Sequence, residues 1–445
     1  MHNNLGAKVE CDLYKLLCSQ FGRDCVYLSP KFVKSGNEKE VCDILILVLP
    51  YAIAFQVKWM KLTADELRGD SGGIKKERLI RRMRVAADQF SEICSEISFA
   101  KDVKLPMIWG GDSECTYTLP MDKIEHLVPV VIIDFEDNEY SNPDKRYCDI
   151  PPVITDAGKQ AQKYGKIHSF LMADFKRIID QLFSVGDLML WLSEREKIFG
   201  DRPKTFIGYN EMMIFLLYLY NNPLFKRIAD YDGVVMDDND AFERETAKHK
   251  SEFQRRKEVF GSGMLIDKIE KMLTRATWKM YLSQQNNDIV IDYLQSMGRF
   301  KRLPSVARVQ LSKKLQKCLE LYSPRSDKPC VRGTYSLFGE GTISSTLFYF
   351  GVCDFTEADG EGLCRYAYLR GISNAKHEGY SERVKEMLVL LVRRDRPDIC
   401  SQLFFVSPSD YLFAMPKGEL ARTRYSFSKE RMKTTEWKVA KDTTL

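Results

Sequence analysis

The stretch EVCDILILVLPYAIAFQVKWM, Glu40 to Met60, decides the fold of this chain. Two apolar runs rich in β-branched and aromatic residues flank Pro50, the layout of a β-hairpin. Three groups sit badly in it. Asp43 opens the first run, and Gln56 and Lys58 close the second. A carboxylate, an amide and an ammonium all lose free energy in a dry core unless each finds a partner or water. A two-residue turn at Pro50 and Tyr51 would set Leu49 opposite Ala52, and counting back pairs Asp43 with Lys58 and Leu45 with Gln56. Side chains alternate along a strand, so Gln56 and Lys58 share a face while Ile53, Phe55 and Val57 point the other way. That register gathers the three polar groups at the open end of the hairpin, a few ångströms apart.

Outward from the hairpin, Val9, Leu13, Leu16 and Leu17 recur at helical spacing and predict a first helix over Gly6–Phe21, stopped by Gly22. DCVYLSP reads as a short strand. After the GDSGG loop, Ile74–Ile97 is strongly amphipathic and predicts a second helix, followed by strands at TYTL and Val128–Phe135. Helix, strands, helix, strand make an α/β unit of normal domain size. The polar, turn-rich segment Glu136–Pro152 is the expected boundary. Beyond it SFLMADFKRIIDQLFSVGDLMLWLSEREKIF, NEMMIFLLYLY, DAFERETAKHKSEFQRRKEVF and MLIDKIEKMLTRATWKMYLSQ all read as helical. After SPRSDKP, the runs GTYSLFGEG, TISSTLFYFGVCDF, LCRYAYLRGI and SQLFFVSP read as strands and SERVKEMLVLLVRR as a helix.

Composition narrows the class. Of 445 residues 44% are hydrophobic and 29% charged, which is enough apolar surface for real cores. A formal charge of +5 over this length does not itself mark a nucleic-acid binder. No apolar run approaches the roughly 18 residues of a membrane span, and MHNNLGAKVE lacks the layout of a secretory signal, so no membrane association and a cytoplasmic location are expected. The 12 cysteines are scattered without a CxxC pair and read as reduced thiols. The five histidines have no metal-ligand spacing, which argues against zinc.

The chemistry therefore rests on the hairpin. Asp43 and Gln56 offer a carboxylate and an amide oxygen, a hard donor pair suited to Mg²⁺, which takes one or two protein groups and fills its octahedron with water and phosphate oxygens. A lysine beside such an ion orients and helps deprotonate an attacking water, while the ion stabilises charge on the phosphorus oxygens. These are the parts of a phosphodiester hydrolase.

A helix bearing Glu10, then Asp43 at the start of one strand, then Gln56-Val57-Lys58 at the end of the next, resembles the PD-(D/E)XK nuclease superfamily, the restriction-endonuclease-like fold. The nearest pattern is the Mrr-like variant in which glutamine replaces the second acid. EVCD, QVKWM and the helix segment RVAADQF look like a subgroup of bacterial nuclease-related proteins, and VGDLMLWLSERE with NEMMIFLLYLY is similar to the helical part that follows in that subgroup. The resemblance covers the chain to about Phe135 and, more loosely, to about Pro223. It departs from the family pattern at Val41-Cys42, where the proline is missing, and at Gln56, which removes a negative charge.

The resemblance implies Asp43 as principal metal ligand, Gln56 as a second and the main-chain carbonyl of Val57 as a further contact. Lys58 is the implied water-activating or phosphate-stabilising cation, Glu10 a supporting acid on the first helix, and Gln89 a residue behind the ligands. The implied cofactor is Mg²⁺ or Mn²⁺, the substrate a nucleic acid with DNA ahead of RNA, and the role restriction or anti-phage defence. Cutting two strands would call for a homodimer or a partner protein. The expected architecture is α/β: a restriction-endonuclease-like domain over residues 1–150, a mainly α-helical region over 151–325, and a small α+β module with a basic tail over 326–445.

Two basic runs are the candidate phosphate contacts. Lys75, Lys76, Arg78, Arg81 and Arg82, with Arg84, face one acid, Glu77; Arg299, Lys301, Arg302, Arg308, Lys313 and Lys314 lie in a run to Lys317 that contains no acid. The tail from Lys417 adds basic residues interleaved with Tyr425, Phe427 and Trp437. The competing expectation is a non-catalytic protein that keeps the nuclease fold as a scaffold for nucleic acid or a protein partner.

Overall fold

A computed structural model of the chain describes residues 5–34, 36–61, 76–97, 102–108, 114–135, 153–154, 166–199, 205–207, 211–220, 222–231, 233–235, 239–260, 264–284, 286–321, 332–337, 346–353, 386–393 and 401–406. Helix α1 (Leu5–Phe21) leads into strand β1 (Val26–Leu28), the hairpin β2 (Lys31–Lys34) and β3 (Asn37–Glu40), and then β4 (Ile44–Val48) and β5 (Tyr51–Met60). Helix α2 (Lys76–Ile97) follows, then β6 (Asp102–Ile108), β7 (Glu114–Pro120), β8 (His126–Phe135), β9 (Val153–Ile154) and β10 (Ile167–Leu171). The main sheet runs β1-β4-β5-β8-β10-β9, with β5, β8 and β10 parallel and the other pairs antiparallel. The expected order of helix, strands, helix and strand is present. The β2–β3 hairpin, turned at Gly36 with φ +80°, joins β6 and β7 in a second, antiparallel sheet of order β3-β2-β6-β7. Polar composition hid β2 and β3 from a hydrophobic-pattern reading, since every residue of β3 is exposed.

The hairpin register differs from the expected one. Val48 faces Tyr51, Leu47 faces Ala52 and Ile44 faces Phe55, so the turn is Leu49-Pro50, with a cis peptide between them. The pairing stops at Ile44–Phe55, and Asp43, just before it, bonds to the Phe55 carbonyl and the Val57 N–H instead of standing opposite Lys58. A shift of two positions keeps every side chain on its expected face. The convergence survives and the partners change.

All of β4 and the first seven residues of β5 are buried, because each face of the sheet is covered. On one face Ile44, Ile46, Ile53, Phe55, Val57, Val130 and Ile132 share a core with Leu13 and Leu17 of α1. The same core takes in helices α3 (Met172–Asp180), α4 (Val185–Phe199) and α5 (Glu211–Tyr220), through Phe175, Ile178, Trp191 and Phe215. On the other face the small residues Ala52 and Ala54 leave room for α2, which packs on β5 and β8 and buries Leu79, Met83, Ala86, Ala87 and Phe90.

One buried charge pair ties the helical layer to the sheet. Arg195 of α4 is fully buried and donates two parallel hydrogen bonds of 2.8 Å to Glu211 of α5, with a third of 2.9 Å to the Ser169 carbonyl of β10. Its guanidinium also lies 4.2 Å over the Phe170 ring and 3.2 Å from His168 Nδ1. Burial first, and then the Arg195 charge, push the His168 pKa far down. A guanidinium nitrogen can only donate, so His168 Nδ1 accepts and the neutral ring carries its proton on Nε2.

The domain expectation needs correction. β10 pairs in parallel with β8, placing His168 opposite Val130, so the main sheet crosses the boundary expected at Glu136–Pro152. SFL, expected to open a helix, is the end of that strand. A strand buried on both faces has no alternating pattern, and its apolar run merges with the helix after it. The chain divides instead into two compact units between Glu258 and Val259, within the helix Asn239–Phe260. The first unit also holds a two-stranded parallel ribbon of β11 (Thr205–Ile207) and β12 (Gly233–Val235).

In the second unit the helices Leu265–Gln284, Asn287–Lys301 and Ser305–Leu321 accompany a sheet of order β13-β14-β15-β16. Its strands are β13 (Arg332–Leu337), β14 (Thr346–Cys353), β15 (Glu386–Arg393) and β16 (Ser401–Val406). β15 corrects the helix expected at SERVKEMLVLLVRR; its Leu388, Val389, Leu390 and Val392 are buried between two strand partners. LCRYAYLRGI and the basic tail lie outside the described residues.

Glu211→Ala would strand the Arg195 charge in the core and is expected to cost about 3–5 kcal/mol in urea unfolding. Removing the exposed ammonium of Lys197 is expected to cost about 1 kcal/mol or less. A Glu211→Ala protein as stable as the parent would show that the pair does not hold the layers together.

Candidate active site

Asp43 stands just before β4, in a segment held by main-chain bonds. Its carbonyl accepts from the Ser29 N–H at 2.9 Å, its N–H donates to the Phe55 carbonyl at 3.0 Å, and the Val41 N–H donates to the Pro30 carbonyl at 2.7 Å. Ser29 adopts a left-handed φ of +47°, a conformation a non-glycine residue keeps only where its surroundings impose it. The Asp43 side chain then reaches across to β5, where Oδ2 accepts the Val57 N–H at 2.5 Å. Beyond the last β4 pairing the Val57 amide would lack a strand partner, and the carboxylate supplies one.

Gln56 and Lys58 follow on the same face of β5. Gln56 is 5% exposed, and its Oε1 accepts from Lys58 Nζ at 3.2 Å. Lys58 is half-buried, and among the described residues no carboxylate lies within ion-pairing distance of its ammonium. Among the described residues the hydrogen bond that holds the Lys58 ammonium is therefore the one to a neutral amide, while its charge acts at longer range on Asp43 and Glu10.

Glu10 enters from α1 and shares the electrostatics of this end of the hairpin. Burial, then repulsion from Asp43 and Glu40, raise the Glu10 pKa to about 7 against the pull of Lys58. Burial likewise raises Asp43 to about 6, opposed by the Val57 N–H and Lys58 and reinforced by Glu40. Glu40, at the exposed end of β3, was missed by sequence reading although it opens the decisive stretch. Its signal was its place three residues before Asp43, on a strand that composition did not reveal.

The donors fit a hard divalent cation. Asp43 Oδ1, Gln56 Oε1 and the Val57 carbonyl are all oxygens, and the N–H and C=O of one strand residue open to the same edge, here the edge that Asp43 occupies. Among the described residues no three His, Cys, Asp or Glu side chains gather as a metal-holding group. A cation here would rest on one carboxylate, an amide and a main-chain carbonyl with water completing the shell, a pattern for Mg²⁺ or Mn²⁺ and not for zinc.

The expected nucleic-acid residues separate into groups. Lys75 and the side chain of Lys76 lie outside the described residues. Arg78 is half-buried and donates to the Lys61 carbonyl, while Arg81 and Arg82 are exposed. Gln89 is also exposed, and no contact joins it to Asp43, Gln56 or Lys58 among the described residues.

In the second unit the expectation fails for three residues. Lys301, Arg302 and Arg308 are 5%, 5% and 6% exposed. Lys301 pairs with Glu270 at 2.6 Å, and Arg308 bridges Asp267 at 2.6 Å and also Glu270. Burial alone would raise Glu270, but the Arg308 and Lys301 charges win and hold it down to about 2. These cations neutralise acids from the neighbouring helix and are unavailable to phosphates. Arg299 is half-buried and bonded to the Gln295 carbonyl, Lys314 is half-buried, and Lys313 is exposed.

The raised carboxyls set a pH dependence. Between about pH 4 and the folded values of about 6 for Asp43 and about 7 for Glu10, the folded protein holds protons that the unfolded chain has released. Their contribution is present below about pH 4 and is lost as pH rises through the folded pKa values. In metal-free buffer, urea midpoints should therefore decline from pH 5 to 7 relative to Asp43→Asn, with about 1–2 kcal/mol from Asp43 after allowance for its partial exposure. Parallel curves for parent and variant would remove Asp43 as the source.

Compared with protein-family models, curated proteins and solved structures, the chain shows no match to any of them.

Proposed function

We propose that the chain is a metal-dependent nuclease of the PD-(D/E)XK type, hydrolysing phosphodiester bonds in nucleic acid, with DNA ahead of RNA. The observation that carries this reading is the placement of Lys58 close enough to Asp43 to pull on its charge, with its ammonium hydrogen-bonded to the Gln56 amide and, among the described residues, ion-paired to no acid. A lysine neutralised by a carboxylate would serve the fold; one tethered to an amide keeps donors for a water or a phosphate oxygen. The order of helix, strands, helix and strand, with these groups at one end of the central hairpin, supports the superfamily assignment.

Asp43, Gln56 and the Val57 carbonyl would hold Mg²⁺ or Mn²⁺, which when bound supplies charge stabilisation at the scissile phosphate and a lowered pKa for a bound water. The Val57 N–H keeps the Asp43 carboxylate from rotating, so its other oxygen faces the cation position at little entropic cost. Lys58 orients the attacking water and offsets charge on the phosphate oxygens. Glu10 sits in reach of the same field and adjusts the charge that Asp43 carries.

The second reading is a scaffold that binds without cutting. It is favoured by one feature: Asp43 Oδ2 and Gln56 Oε1 are each already satisfied within the chain.

Asp43→Ala and Lys58→Ala are each expected to lower Mg²⁺- or Mn²⁺-dependent cleavage of DNA by at least about 10²-fold while unfolding midpoints remain near the parent's. Cleavage is followed on linear and supercoiled DNA and on structured RNA. A parent protein inactive on all of them with either metal, or variants that cut as fast as the parent, would move the reading to the scaffold.

A further inference from the structure

Helix α2 begins beside the candidate active site. Arg78 donates to the carbonyl of Lys61, three residues past Lys58, which fixes the first turn of the helix to the end of β5 that carries the site. Residues at i, i+4, i+7 and i+11 line one flank of a helix. On α2 that flank is Arg78, Arg82, Val85 and Gln89. Arg82 therefore shares the flank of Arg78, about 6 Å further along the helix axis, with Arg81 next to it.

This face is cationic. Arg81, Arg82, Arg84, Val85, Asp88 and Gln89 are its exposed residues over the stretch where side chains are described. Three arginines face one acid, and none of the six is aromatic. Among the described residues Arg81 and Arg82 make no ion pair or hydrogen bond. In the second unit, by contrast, Lys301 and Arg308 are paired inside the fold.

We infer that Arg82, with Arg81 beside it, grips the phosphate backbone of a duplex nucleic acid and delivers one strand to the end of β5. The inference rests on the nuclease reading for where the strand goes, but not for the grip itself. A guanidinium without a protein partner takes phosphate oxygens through paired donors. Single strands are held largely by bases stacking on aromatic rings, and this face has none to offer. A duplex stacks its bases inside and presents phosphate charge along its outside, which suits exposed arginines on a face without aromatic rings. Binding through phosphate contacts at this face is therefore steeply dependent on salt.

The test uses the full chain in EDTA, so that nothing is cut, and fluorescence anisotropy with three labelled probes of one sequence: duplex DNA, duplex RNA and single-stranded DNA. The expected result is duplex binding tighter than single-strand binding, weakened roughly 10- to 100-fold in Arg81→Ala/Arg82→Ala. The slope of log affinity against log salt should fall by about 2 in that variant. Lys226→Ala/Arg227→Ala, at exposed residues of the helix Asn222–Arg227, should leave both quantities unchanged. The two duplex probes distinguish a DNA backbone from an RNA one. Preference for the single strand, an unchanged slope in Arg81→Ala/Arg82→Ala, or no binding by the parent would each overturn the inference. Asp43→Ala separates the two ideas. If it binds as the parent does and the parent never cuts, the grip stands and the nuclease reading falls; if the parent cuts but Arg81→Ala/Arg82→Ala binds unchanged, only the grip falls.

Discussion

Val57 gives its main-chain N–H to the carboxylate of Asp43, and through that bond the end of one strand fixes the side chain at the start of its neighbour. Neither residue could hold this position alone. The amide turns to a side chain because β4 stops short, and the carboxylate reaches it because Ser29 and Pro30 pin the segment in front of β4. Behind both lies a hairpin buried on its two faces, where a displacement of β4 against β5 would break close packing with α1 on one side and α2 on the other. The polar end is precise because the apolar length beneath it is stiff.

The hairpin was legible in the sequence because its apolar content and its interruption at Pro50 are local signals, and side-chain alternation then placed Asp43, Gln56 and Lys58 on one face. The partner of Asp43 was not legible. A turn at Leu49-Pro50 and one at Pro50-Tyr51 leave the same alternation, and only tertiary packing chooses between them. β10 was missed for a related reason: a doubly buried strand running into a helix has one continuous apolar signal. β15 was misread because VKEMLVLLV suits a buried strand and an amphipathic helix equally well, and its two strand partners decide the matter from a distance in sequence.

Charge was the least legible property. The run from Arg299 to Lys317 contains no acid, yet it lies against a helix that brings Asp267 and Glu270 to it, so its strongest charges are internal. The shorter run on α2 looked less distinctive and yet keeps Arg81 and Arg82 at the surface. A count of charges along a sequence describes a stripe only when the neighbouring elements are known to leave it bare. The same applies to Lys58, whose character depends on whether an amide or an acid stands beside it.

The bond between Arg195, Glu211 and β10 bears on how this chain can be divided. A fragment ending near residue 150 would keep Asp43, Gln56 and Lys58 but lose β10, baring the hydrogen-bonding edge of β8 together with Val130 and Ile132. An open, apolar parallel edge of that kind is a template for joining other chains. Short versions made to isolate the hairpin would therefore meet a problem of self-association before any question of chemistry. The smallest piece that closes its own sheet and neutralises its own core charge extends past Glu211, and the natural place to cut is after the helix that ends at Phe260.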